Sequence, residues 1–437
     1  MKAPVISAAL LAFSAISASA QCKTPDWWSN FNDPTLDSLI YLGQNNNLDL
    51  LQALHRLEMA RQSIREAKSG YFPQLGFGAG WQRAGSSAFT TSPRGEAGTQ
   101  SYFSLGLNMS WEIDLFGRIT AKVNEAKGAY NASAQDYAWM CVTIGAEIAS
   151  DYMMLRTLQE ELRVTSEHIE QQETVLKITE ARHEAGLASM LDVAQAKTVY
   201  YSTQASIITF QTQIQTTINA IAVLTGTYPD RMKDLLAPPA PQPQADWTLD
   251  VDVSPELLRN RPDVLEAEYT VEEYAAALGV EKKQWLPSLS LSASVGTDAW
   301  YLKDLFKGDS FTYSVAPQLS WTIFDGLARD ASIASAREQM LAAVENYNLT
   351  LLTAVQEVDN ALVTYTQAVK YEKEIATVLQ NAQLAYKLAL DRYKQGLDAF
   401  INVSDAQITV LEYANELVTA RGNVLTALVS LQKSLCL

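Results

Sequence analysis

The 437-residue sequence predicts an α+β membrane protein: four strands per chain that complete a shared transmembrane β-barrel, and very long antiparallel helical hairpins. Three observations point there. An export signal opens the chain. Helical periodicity then runs uninterrupted far beyond the length of a globular helix. Between the helical runs lie two pairs of segments with a period of two, too few to close a barrel within one chain. An internal two-fold repeat orders these pieces, with residues 21–250 as the first copy and 251–437 as the second.

Composition sets the outer limits. With 48% hydrophobic and 19% charged residues the chain is expected to fold. A formal net charge of −16 argues against nucleic acid, whose binding needs a basic face. Residues 1–20 read as a signal peptide: Lys2 is the positive start, Val5 to Ile16 is almost wholly apolar, and Ala18-Ser19-Ala20 is a small-residue cleavage site. The mature chain then starts at Gln21. Cys22 offers a rival reading, cleavage before a lipidated cysteine, although Gln21 fits poorly where a small residue is wanted. With Cys141 and Cys436 it makes three cysteines, which do not form a disulfide framework. The positions of Cys141 and Cys436 along their helices argue against a bond between those two. No later apolar run approaches the roughly 20 residues of a membrane helix, so any crossing must be made by strands.

An aromatic segment, Trp27 to Phe31, leads into a helical pattern from Pro34 to about Lys68. Then the period changes. Leu75, Phe77, Ala79 and Trp81 alternate with Gly76, Gly78 and Gly80; Phe103, Leu105, Leu107, Met109, Trp111 and Ile113 alternate with polar or small residues. This is the pattern of strands with one apolar and one polar face. Residues 83–101, polar and rich in turn formers, read as a loop. A helix is expected from Arg118 to about Arg182; its roughly 65 residues would span on the order of 100 Å. Such a length belongs to a coiled-coil-like assembly. A return helix follows to Leu224. Residues 226–250, with Pro229, Pro238, Pro239, Pro241 and Pro243, read as a non-helical connection.

The second half repeats this order. Pro262 and Asp263 suit a first helical turn. Leu289, Leu291, Ala293 and Val295 form one strand pattern; Phe311, Tyr313, Val315, Leu319, Trp321 and Ile323 form another. A long helix from about Leu327 to Lys394 and a final helix to about Lys433 complete the copy. The sharpest correspondence is RHEAGLASMLDVAQA, residues 182–196, with RYKQGLDAFINVSDA, residues 392–406. Gly186 matches Gly396, and Leu187 matches Leu397. Glycine ends a helix without steric cost, so both stretches read as helix–turn–helix tips.

Strands of about 9 to 11 residues match a tilted bilayer crossing. Four of them leave open edges in lipid, so copies of the chain must share a barrel. Chemistry is otherwise sparse. The histidines, His55, His168 and His183, show no metal-ligand spacing, and no acid pair has a partnered base or nucleophile. The sequence predicts no enzyme, cofactor or metal.

Several motifs now carry a resemblance. They are Trp27-Trp28, Phe31, Asp33-Pro34 and Leu36; Trp111-Glu112-Ile113-Asp114-Leu115-Phe116-Gly117-Arg118; Arg261-Pro262-Asp263; Trp321-Thr322-Ile323-Phe324-Asp325-Gly326; and the two tips. In this order they resemble the TolC-like outer-membrane efflux proteins, in the branch serving resistance–nodulation–division pumps. The resemblance covers nearly all of the mature chain. It implies a homotrimer with a twelve-stranded barrel in outer-membrane lipid and an α-barrel extending into the periplasm. It also implies a passive exit duct for drugs or other small toxic solutes, partnered by an inner-membrane pump and a periplasmic adaptor. Adaptor docking would fall at Gly186, Leu187, Gly396 and Leu397. The periplasmic gate would map to Ile401, Asn402 and Asp405. Three copies of Asp405 around an axis would bring like charges together and favour cations. An exit duct for protein secretion, within the same class, and an adhesin or scaffold are the alternatives; short strand loops disfavour an adhesin.

Overall fold

A computed structural model of the chain describes residues 22, 26–89, 98–243 and 258–436. The expected signal peptide, Gln21, and residues 244–250 of the expected connection lie outside them. The described chain forms two compact units. Of the described residues, one takes those within 56–134 and 265–348 and the other those within 22–55, 135–264 and 349–436, so each sequence half contributes to both.

The first of these units holds the sheet. Strands β1 (Gln74–Ser86), β2 (Gly98–Ile113), β3 (Ser288–Ala299) and β4 (Phe311–Ser320) lie in the order β1-β2-β3-β4, each antiparallel to its neighbour. The apolar residues Leu75, Phe77, Trp81, Phe311, Tyr313, Val315 and Leu319 are all exposed, and so is every other residue of β4. Two boundaries differ from expectation. Arg83 pairs with Ser101 and Ser86 with Gly98, so the ladder runs into the stretch read as a loop. Main-chain pairing needs no apolar side chain, so polarity alone does not end a strand. At the other end β4 stops at Ser320, and Trp321 and Ile323 lie beyond it.

The stretches Trp111-x-x-Asp114 and Trp321-x-x-x-Asp325 each have a local role at the foot of the sheet. The indole of Trp111 donates to the Tyr71 carbonyl at 3.1 Å, and that of Trp321 to the Trp285 carbonyl at 3.0 Å. Asp114 accepts from the Ile119 and Thr120 amides, both at 2.9 Å, and so caps helix α3 (Arg118–Glu184). Arg118 forks onto Glu112. Before helix α7 (Ala328–Lys394), Asp325 accepts from Arg329 Nε at 2.6 Å, and the guanidinium lies over Trp285.

The other unit packs around Leu36, Leu39, Ile40, Ile148, Tyr152, Leu155, Ile221 and Leu428. Trp27, Trp28 and Phe31 are buried there, in a 3₁₀ turn ahead of helix α1 (Pro34–Asn46). Asp33 caps α1 through the Thr35 amide at 2.9 Å and also accepts from the Tyr152 hydroxyl. The single helix expected to reach Lys68 is broken at Asn47. Its side chain accepts from the Asp49 and Leu50 amides, opening helix α2 (Leu48–Ser69), and donates to the Leu224 carbonyl at 2.8 Å. Helix α4 (Met190–Leu224) is followed by a short helix, α5 (Pro229–Leu236), inside the segment expected to be non-helical. Pro229 sits in its first turn, where a missing N–H costs nothing, and Met232 and Leu236 are buried. The segment beyond it is tethered twice: Arg156 donates to the Pro238 carbonyl at 3.2 Å, and Gln242 donates to the Val418 carbonyl at 3.1 Å.

Helix α6 (Pro262–Lys283) opens as expected at Pro262. Arg261, ahead of it, is 1% exposed. It forks onto Asp263, reaches Glu357 at 2.7 Å and the Ser434 carbonyl at 2.9 Å, and stacks over Trp139. Ser434 lies on the last helix, α8 (Phe400–Leu435). The cysteines bring a correction. Cys22 and Cys141 form a disulfide, whereas Cys436 is free. Three cysteines make no framework, but one pair forms because the aromatic segment folds back onto α3, a contact between distant residues that spacing does not encode.

Removing a buried charge partner strands the groups it satisfied, so Arg261→Ala should cost about 3 kcal/mol, read as a lowered unfolding midpoint in detergent. A second expectation concerns Asp151 on α3. Burial and the charge of Glu147 push its carboxyl up from 3.8 to about 6. The folded chain therefore holds a proton the unfolded chain has lost, and stability falls as pH rises through that window. Thermal unfolding of Asp151→Asn should lack this component of the pH slope.

Candidate functional site

The long hairpins α3–α4 and α7–α8 end in turns of the same backbone form. Gly186 has φ +72° and Gly396 φ +75°, the left-handed conformation that suits glycine. The Leu187 amide donates to the Arg182 carbonyl at 2.8 Å and the Gly186 amide to that of His183 at 2.9 Å. Leu397 and Gly396 repeat both bonds onto Arg392 and Tyr393, each at 2.9 Å. This pair of bonds satisfies carbonyls that a helix end otherwise leaves orphaned. It also leaves the next side chain pointing outward: Leu187 is 68% and Leu397 64% exposed.

The returning helices start by different chemistry. Ser189 and Asp192 form a capping box, each side chain bonding the other's backbone N–H, at 3.2 and 2.9 Å. Its signature, Ser-x-x-Asp, is readable in the sequence but stood hidden inside the tip repeat. In the second tip the N-cap is Ala399, which has no side-chain acceptor. Asp398 serves instead. It accepts from the Asn402 amide at 2.6 Å, the Ala399 N–H at 2.9 Å and Arg392 at 3.1 Å, and these donors hold its carboxyl below the usual range.

Those contacts sort the residues mapped to the gate. Ile401 and Asp405 are both exposed and lie one helical turn apart on α8, so they share a face. Asn402 is exposed too, but its amide is engaged by Asp398 within the turn. The Asn402 side chain thus holds the turn together.

Arg182 joins the two tips. It donates to the Tyr393 carbonyl at 3.1 Å and the Lys394 carbonyl at 3.3 Å, and its guanidinium lies 4.7 Å from the Tyr393 ring centre. Its counterpart Arg392 stays within its own turn, on Asp398. Below the turns Val175, Leu176, Ala196, Tyr393, Phe400 and Val403 form one buried cluster drawn from all four helices. Lys197 and Glu180 pair at 3.0 Å across the first hairpin. No sequence signal distinguished Arg182 from Arg392, because the difference lies in which neighbour each can reach.

Comparison with known proteins places this arrangement. The family model described as "Outer membrane efflux protein" matches residues 39–227 and 253–436. The toluene efflux pump outer membrane protein TtgF of Pseudomonas putida is 30% identical over 94% of this chain and 85% of its own. The antibiotic efflux pump outer membrane protein ArpC of Pseudomonas putida is 29% identical over 96% and 86%. Among solved structures, the outer-membrane channel OprN superimposes with a TM-score of 0.88 at 27% identity, over 96% of this chain and 95% of that one.

Losing two charge-assisted bonds and a cation–π contact, Arg182→Ala should loosen the junction of the tips by about 1 to 3 kcal/mol. Hydrogen exchange would read this as faster exchange of amides around 393–400. Arg392→Ala should leave the 182–190 amides unchanged.

Proposed function

The chain belongs to the outer membrane efflux protein family, and from that premise we propose that three copies assemble into the exit duct of a tripartite efflux system. It is an outer-membrane protein, and proteins of this class work with an inner-membrane pump and a periplasmic adaptor. The pump supplies the energy; the duct is passive. The observation that carries the trimer is the sheet. Among the described residues β1 and β4 each pair on one side only, while their apolar side chains are exposed. In lipid such edges must be closed by strands from further copies. The family's trimer then gives a twelve-stranded barrel, with the two halves of each chain as repeats of one hairpin-and-strand unit.

The tips carry the contacts to the adaptor, with Leu187 and Leu397 as exposed apolar anchors beside Gly186 and Gly396. Ile401 and Asp405 line the narrowest point of the closed duct, and Asn402 supports them through Asp398. The cargo class is that named for the relatives, small apolar solvents such as toluene and antibiotics. A conduit of this kind needs no cofactor and performs no catalysis.

Deletion of the gene should raise sensitivity to several unrelated drugs or solvents together. Loss of one secreted protein with unchanged sensitivity would overturn the efflux reading. In planar bilayers Asp405→Ala should weaken cation preference and change single-channel conductance; unchanged values would remove Asp405 from the constriction.

A further inference from the structure

Cys22 lies ahead of the aromatic segment and Cys141 in the first half of α3, yet their Cα atoms are 5.7 Å apart and their sulfurs are bonded. Cys141 is 1% exposed. The Cys22 sulfur also lies 3.9 Å from the hydroxyl of buried Tyr137, one turn earlier on the same helix. From there the chain continues into Trp27, Trp28 and Phe31, which sit in the same core. Thus the stretch ahead of α1 is fixed by three buried aromatic rings and by a covalent bond at Cys22. The third cysteine does not compete. Burial pushes the Cys436 thiol up to about 11, which keeps it from forming the thiolate that attacks disulfides.

We infer that this disulfide, and not a lipid, fastens the amino-terminal arm of the mature protein. The two attachments exclude one another, because a lipid thioether would use the Cys22 sulfur that Cys141 holds. The inference rests on the outer-membrane location, which places the chain in an oxidising compartment where disulfides persist. The bond forms by exchange with a protein disulfide of a periplasmic oxidoreductase. One cysteine thiolate attacks that disulfide and forms a mixed disulfide; the second thiolate then displaces it. Two electrons pass to the oxidant, whose two sulfurs leave as thiols carrying the two protons. Because the bond spans a sequence separation of 119 residues, it restricts the unfolded chain strongly.

The test is peptide mapping of protein extracted from outer membranes, with free thiols alkylated before and after reduction. The expected result is a Cys22 peptide joined to the Cys141 peptide, with Cys436 alone alkylated without reduction in denaturant. A Cys22 peptide carrying diacylglycerol, or Cys22 and Cys141 both alkylated without reduction, would overturn the inference. Variants give an independent reading. Cys22→Ser, Cys141→Ser and the double variant should lower the unfolding midpoint by the same amount. A loss confined to Cys22→Ser, with Cys141→Ser silent, is the lipid-anchor outcome and contradicts the proposal.

Discussion

A strand edge cannot be left open in hydrocarbon. Each backbone N–H or C=O without a partner there costs on the order of several kcal/mol, and no water is present to relieve it. This chain carries two such edges, on β1 and β4, with apolar side chains along both. On the proposed reading, this constraint makes a single copy incomplete and association a condition of insertion. It also explains why the residues at the foot of the sheet are so firmly bonded. Trp111 and Trp321 are tied to backbone carbonyls, and Asp114 and Asp325 start the helices that follow.

At the tips the same economy takes a different form. Both helices end by the same glycine turn, yet what starts the return differs. The first tip closes itself with Ser189 and Asp192, which leaves Arg182 free to reach the other hairpin. In the second, Arg392 pairs with Asp398 within its own turn, and the exposed face of the next turn presents Ile401 and Asp405. A repeat with equal backbones has thus acquired unequal roles through a handful of side chains. One tip holds its neighbour, and the other offers an apolar residue and an acid to whatever lies beside it.

Much of this was legible before any coordinates. The alternation from Leu75 to Trp81 and from Phe103 to Ile113 marked strands because a half-apolar strand has only one period available. The glycines of the tips marked turns because few other residues accept a positive φ. What escaped was set by contacts between distant residues. Asn47 breaks a helix by capping the next one and bonding Leu224, and nothing in its neighbours announces that. Pro229 counts with the other prolines toward a non-helical segment, yet a proline is well suited to open a helix, as it does here. The pairing of Cys22 with Cys141, the buried fork of Arg261 and the reach of Arg182 each join segments far apart in the chain, where local periodicity carries no information. Strand ends were missed because pairing continues where hydrophobicity stops.

The mass of the assembly extracted from outer membranes, by native mass spectrometry in mild detergent, tests the shared barrel most directly. Open edges on β1 and β4 predict an assembly of several copies, three on the proposed reading, without a folded single-copy species beside it. A stable monomer that retains the sheet would contradict the need for neighbouring copies.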